Sequence, residues 1–192
     1  MNLPFFVTAD THFLHPAIGG FCNRPENHQE LIVQRWNETV GPDDVIIHLG
    51  DLVLGKRKAA EAFFESAQLN GHKFLVLGNH DKRSKSFYAG IGFEVIDPFV
   101  LDYEGWKVYF THYPLVPPVH TLAEDEINVH GHVHNLYVDN LSVRHTNVGV
   151  DMRHLAPQDA EWHIKNSIRR LNREDRTRDW QRGGKDFEPP ED

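Results

Sequence analysis

Val45-Ile46-Ile47-His48-Leu49-Gly50-Asp51 decides how the rest of the chain is read. Its first five residues form a buried-type apolar run, which reads as a strand, and the run stops at a glycine followed by a carboxylate. The same punctuation recurs on both sides. Upstream, Phe5-Phe6-Val7 runs into Ala9-Asp10-Thr11-His12; downstream, Phe74-Leu75-Val76-Leu77 runs into Gly78-Asn79-His80-Asp81. Two segments of helical spacing separate these runs. Glu26 to Thr39 carries Leu31, Ile32, Arg35 and Trp36 and is stopped by Gly41-Pro42-Asp43-Asp44. Lys58 to Leu69 presents Ala62, Phe63, Ala67 and Leu69 as its expected inner face and is closed by Asn70-Gly71. Strand, helix, strand, helix, strand is the pattern of βαβ units, and it predicts an α/β fold with a largely parallel buried sheet. Ligands collect at the carboxyl ends of strands in such sheets, where the polar segments of this chain lie.

Beyond Asp81 the pattern changes. Phe99-Val100-Leu101-Asp102-Tyr103 and Trp106-Lys107-Val108-Tyr109-Phe110 flank Glu104-Gly105, a hairpin signal. Ile127 to His130, Leu141 to Arg144 and Thr146 to Val150 read as further strands, and Pro157 to about Leu171 as a helix. From 172 to 192 the chain is polar and ends Glu188-Pro189-Pro190-Glu191-Asp192, so one domain over residues 1–171 and a frayed tail are expected.

Composition narrows the function classes. The 192 residues suit a single domain with a sizeable core. No apolar run approaches a membrane span, and Met1 to Val7 reads as a first strand rather than a signal peptide. The single cysteine, Cys22, excludes an internal disulfide and fits a reducing compartment, so the cytoplasm is the expected location. A formal charge of −8 repels polyanions, which makes a nucleic-acid partner unfavoured, though bound cations would change the local field. The 14 histidines are dispersed rather than clustered in a tract, and several stand at strand ends, which points to a site.

Five segments hold the chemistry: Asp10-Thr11-His12, Gly50-Asp51, Gly78-Asn79-His80-Asp81, Thr111-His112 and Gly131-His132-Val133-His134. Histidine, aspartate and asparagine at successive strand ends are what a pair of hard-to-borderline metal ions requires. In an extended segment residues i and i+2 share a face, so Asp10 with His12, and His132 with His134, would each offer two ligands to one side, reaching one metal or two neighbouring ones. A carboxylate such as Asp51 can give one oxygen to each of two cations.

With these residues in order, the chain resembles the calcineurin-like metallophosphoesterase superfamily, whose pattern is D-x-H, G-D, G-N-H-[DE], a later H, and G-H-x-H. The resemblance implies a four-layer sandwich of two mixed β-sheets flanked by helices. It implies two divalent metal ions, with manganese the first choice for assay and iron, zinc or nickel as alternatives. Asp10, His12 and His134 would bind one ion, Asn79, His112 and His132 the other, and Asp51 both. His80 would contact the phosphate, as would Asn79, and protonate the leaving oxygen as general acid. Two such ions acidify a bridging water and hold the resulting hydroxide in line with phosphorus. Position 54 is leucine, whereas the protein phosphatase branch has an aspartate three residues after its bridging one. The chain therefore does not resemble a serine/threonine phosphatase, and the partner that orients His80 is left open, Asp81 being the adjacent carboxylate.

Arg24, shortly after the first pair, is a candidate substrate contact, because a guanidinium matches two phosphate oxygens; its alternative is a structural ion pair. The short intervals from Asp81 to His112 and from His112 to His132 leave no room for a capping domain. The expected activity is hydrolysis of small phosphomonoesters or phosphodiesters, nucleotide-like ones first. The rivals are a nuclease or nucleic-acid end phosphatase, which would use the basic loops at 56–58 and 82–85 and the basic C-terminal stretch 165–185, and a non-catalytic protein-binding scaffold.

Overall fold

A computed structural model describes residues 2–136 and 141–172. Strands β1 (Phe6–Thr8), β2 (Val45–His48), β3 (His72–Val76) and β4 (Phe93–Ile96) are parallel neighbours. They belong to a five-stranded sheet ordered β4-β3-β2-β1-β9, in which β9 (Gln158–Asp159) runs antiparallel to β1. Strands β5 (Phe99–Tyr103), β6 (Trp106–Phe110), β7 (Glu126–His130) and β8 (His145–Asn147) form a second sheet in that order, antiparallel only between β5 and β6. Both sheets are mixed, as expected. The helices are α1 (Ile18–Phe21), α2 (His28–Thr39), α3 (Arg57–Ala67), α4 (Lys85–Gly90) and α5 (Ala160–Asn172).

The continuous apolar runs exist because the first sheet is buried on both faces. Side chains alternate along a strand. Ile46 and Leu75 therefore pack with Ile32 and Trp36 of α2, Ala60 and Phe64 of α3, and Phe87 and Tyr88 of α4. Ile47 and Val76 point the other way, into a core shared with Val108, Phe110, Ile127 and Val129 of the second sheet and Ala160 and Ile164 of α5. Burying each such side chain contributes about 1.5–3 kcal/mol.

Several local expectations are corrected. Leu141 to Arg144 is not a strand; the Ser142 N–H donates to His145 Nδ1 at 3.1 Å and the Ser142 carbonyl accepts from the His145 N–H at 2.9 Å, forming a turn that delays β8 to His145. Helix α3 turns Ala60 and Phe64 inward, four residues apart, and leaves Ala62 exposed. Helix α4 and strand β4 escaped the sequence reading although both carry local signals: the Ser84 hydroxyl accepts from the Phe87 N–H at its start, and Gly92 precedes Phe93-Glu94-Val95-Ile96. The polar tail, residues 173–192, lies outside the described residues.

Buried histidines make the fold acid-sensitive. His48 and His163 are 0 % and 3 % exposed, and burial pushes both down to about 3, with neighbouring positive charge adding to the shift at His163. The folded protein thus keeps these rings neutral, while the unfolded chain takes up a proton near 6.5. Stability is present in full above 6.5 and falls as pH drops from there towards 3, by about 1.4 kcal/mol per pH unit for each ring. In metal-free protein, His163→Leu should flatten the urea-measured stability slope between pH 6 and 5 by about one proton; an unchanged slope would refute this origin.

Candidate metal centre

All five polar segments meet at the carboxyl-terminal rim of the strands, and backbone hydrogen bonds splice them together. The Asp10 N–H donates to the Gly50 carbonyl and the His12 N–H to the Asp51 carbonyl, both at 3.0 Å, while the Gly131 N–H donates to the His112 carbonyl at 3.0 Å. The loops approach so closely that side chains are excluded. At Gly50 φ is +91°, and a Cβ there would stand 2.5 Å from His112 Nδ1 and 2.8 Å from the Gly78 Cα. Any other residue at this position would push two loops apart.

The i, i+2 argument from extended backbone does not hold. Asp10 (φ 59°), His12 (48°), Asp51 (60°), His132 (71°) and His134 (50°) all lie in the left-handed region. Each such conformation costs on the order of 1–2 kcal/mol for a non-glycine residue. Side chains are aimed by these bends rather than by strand alternation, and His132 and His134 go to different places.

Two sets of ligand atoms result. Asp10, His12 and His134 offer donors within 4.8 Å of one another, and so do Asp51, His112 and His132. Asn79 joins the second set through its Oδ1, 2.9 Å from His112 Nε2. Asp51 stands between the sets: its Oδ2 is 3.4 Å from His12 Nε2 and 3.5 Å from His112 Nε2.

The donor chemistry fits cations. His112 Nδ1–H donates to the Leu49 carbonyl at 2.7 Å, which leaves the neutral ring's Nε2 lone pair facing Asn79 and Asp51 oxygens. His12 is 2 % exposed, and neither of its ring nitrogens has a hydrogen-bond partner. A buried imidazole without partners costs about 1–3 kcal/mol of lost solvation, which a cation at Nε2 would offset. The carboxyls are poised in opposite directions. Burial pushes Asp10 up to about 7, against the charges of His134 and His112 and the His132 N–H. Burial also opposes ionisation of Asp51, but His112, the His80 N–H and His12 outweigh it and hold that carboxyl at about 2. His112 and His134 are both raised: burial alone would lower them, and Asp51 at the one and Asp151 at the other prevail.

Behind these side chains lies a supporting layer built from Arg24, Asn147 and Asp151, the last two being candidates for it from their place after a strand near Gly149. Arg24 does not face a substrate space. Its guanidinium is buried and grips Asp151 with Nε at 2.6 Å and Nη2 at 2.8 Å, and it donates to the Thr11 and Asp10 carbonyls. Asp151 in turn accepts from His134 Nδ1–H at 2.7 Å, so the His134 Nε2 is the free ligand atom. The substrate-contact expectation for Arg24 is thus replaced by a structural ion pair spanning 127 positions, too far apart for any local pattern to reveal. Asn147 supports the same loop, donating to the His134 carbonyl at 2.7 Å. Cys22 Sγ lies 3.5 Å from His134 Nδ1, and burial, with the Asp151 charge, raises its thiol to about 11 in the metal-free protein. Breaking the ion pair with Arg24→Met would strand Asp151 and should cost about 3–5 kcal/mol in chemical denaturation; a loss below about 1 kcal/mol would contradict its role.

Asp81 does not orient His80. Its carboxylate accepts from the Asp51, Gly78 and Leu52 N–H groups at 2.7, 2.9 and 3.1 Å and from the Tyr88 hydroxyl at 3.3 Å. It clamps the Gly-Asp loop to the Gly-Asn-His loop. His80 itself is exposed, its backbone N–H donating to Asp51 Oδ1 at 2.8 Å and its ring edge-on to His12 with centroids 5.3 Å apart. The basic loops are partly committed elsewhere. Arg57 pairs with Glu61, and Arg83 donates to the Gly55 carbonyl and stacks over Phe87.

No helix among the described residues is long and apolar enough to cross a membrane. The chain is 31% identical over 169 residues to an uncharacterized protein of Methanocaldococcus jannaschii, MJ1445, an alignment covering 83% of this chain and 89% of that one. It is 27% identical over 192 residues to the Gene 66 protein of Mycobacterium phage D29, covering 85% and 96%. The fold matches a protein of unknown function, AQ665, from Aquifex aeolicus with a TM-score of 0.66 and 23% identity, over 86% of this chain and 99% of that chain. Residues 3–161 match the model of the calcineurin-like phosphoesterase superfamily domain, so the five polar segments and the two sheets that carry them belong to that superfamily.

Proposed function

We propose that the protein hydrolyses small phosphoesters with two divalent cations, one held by Asp10, His12 and His134, the other by Asn79, His112 and His132, with Asp51 shared. The observation that carries this reading is the position of Asp51 Oδ2, 3.4 Å and 3.5 Å from imidazole nitrogens of the two sets. Superfamily membership brings phosphoester hydrolysis as the general chemistry and divalent metals as its usual means. Bound there, the cations would activate water and neutralise charge on the phosphoryl group.

The chain's own residues do the rest. Asp51 is ionised at neutral pH, aims Oδ2 between the sets and uses Oδ1 to fix the His80 backbone. His80, exposed beside His12, would give a proton to the departing oxygen. Arg24 and Asp151 keep the His134 ring in one tautomer and orientation. Small mono- and diesters, nucleotide-like ones included, suit a rim that no inserted cap covers among the described residues. Manganese is the first metal to test, with iron, zinc and nickel beside it.

The test is turnover of p-nitrophenyl phosphate, bis-p-nitrophenyl phosphate and a nucleotide panel after removal of metal and re-addition of each cation. Activity that appears only with divalent metal supports the reading. A protein that binds two equivalents of metal yet turns over none of these substrates would point to a non-catalytic scaffold.

A further inference from the structure

Two exposed aromatic rings lie near the metal centre, one directly against a ligand set and one linked to the other set through His15. Tyr113 follows His112 directly; it is 51% exposed, and its ring centroid lies 4.4 Å from that of His132 and 5.0 Å from that of His112. Its backbone is pinned by the Thr111 hydroxyl, which donates to the Tyr113 carbonyl at 2.6 Å. Phe21, at the end of α1, is 74% exposed and lies edge-on to His15, centroids 6.2 Å apart, while His15 lies edge-on to His12 at 5.6 Å. The His15 ring is held in turn by the Ala17 N–H, which donates to its Nδ1 at 3.1 Å.

Neither ring is needed to close a core. An exposed phenylalanine braced on His15, itself against His12, and a half-exposed tyrosine braced on His112 and His132 are positioned surfaces left open to solvent. Aromatic faces beside a phosphate site take flat rings, because base stacking on such a face contributes without demanding one particular base. Bases attached through sugars to the phosphorus would reach outward from it in this way. The overall charge of −8 disfavours a long polyanion, so a short ester suits the protein better than a duplex or a long strand.

We infer that Tyr113 and Phe21 are specificity-determining platforms that stack the bases of a nucleoside-bearing phosphodiester, Tyr113 on the side of Asn79, His112 and His132 and Phe21 on the side of Asp10, His12 and His134. This rests on the proposed phosphoesterase reading. Because His80 lies against His12, the leaving group departs on the Phe21 side and the retained nucleoside rests on Tyr113.

Thymidine 5′-(p-nitrophenyl phosphate) and methyl p-nitrophenyl phosphate share a leaving group and differ only in the retained part, so their ratio of kcat/KM measures recognition of the nucleoside. In the metal-loaded wild-type protein the thymidine ester should be preferred, mainly through KM. Tyr113→Ala should lower that ratio about tenfold, the size of one lost stacking contact. Tyr113→Phe, which keeps the ring, should restore it. Phe21→Ala should leave the ratio near its wild-type value while raising KM for both esters. An unchanged ratio in folded Tyr113→Ala overturns the inference and leaves the phosphoesterase reading standing. Failure of the wild-type protein to hydrolyse either ester while it turns over p-nitrophenyl phosphate overturns the inference alone; failure on p-nitrophenyl phosphate as well counts against the phosphoesterase reading itself.

Discussion

Asp51→Asn should sharply reduce metal content and turnover together. The substitution keeps the shape but removes the charge that faces both ligand sets, and it replaces a carboxylate held at about 2 by a neutral amide. An amide has one oxygen, so it can no longer face His12 and His112 with Oδ2 while accepting the His80 N–H with Oδ1. We expect metal content, measured on the purified protein, to fall by one equivalent or more and kcat/KM to fall by about 10³ or more, the several kcal/mol that metal ions supply to a developing phosphoryl charge. Two retained equivalents with undiminished activity would remove Asp51 from the centre of the proposal.

His80→Ala should separate what Asp51→Asn joins. His80 belongs to neither ligand set, so metal content should stay at the wild-type level. Turnover should fall about 10²–10⁴-fold, the usual worth of a positioned general acid. The loss should be larger for an alkyl ester, whose departing alkoxide needs a proton, than for a p-nitrophenyl ester, whose leaving group is acidic already. Equal losses on both would assign His80 to binding the phosphate rather than to proton transfer, and full activity would assign it no role at all.

The residues of the site were readable because their signals are local. An apolar run that ends in Gly-Asp or Gly-Asn-His states both the strand and the chemistry at its end, and three such runs separated by helical spacings state the βαβ order. The hairpin Phe99 to Phe110 was readable to the residue for the same reason: two alternating runs flank Glu104-Gly105, both at positive φ in the turn. Short elements lacked that contrast. Helix α4 spans six residues and β9 two, too few for a period to stand out, and β9 exists because β1 offers it an open edge.

The sequence by itself determined which residues could bind metal, that they stand at strand ends, and that two sheets carry them. The family resemblance implied how they divide, and only the tertiary structure supplied the backbone that aims them. His132 and His134 are separated by one residue and yet serve different sets, because left-handed backbone at both positions overrides strand alternation. Arg24, an apparent phosphate contact in one dimension, turns inward to Asp151, and Asp81 turns from its neighbour His80 to three backbone N–H groups. The physical reason is the same in each case. A buried charge must find a partner within hydrogen-bonding distance, and the partner that folding supplies need not be near in sequence.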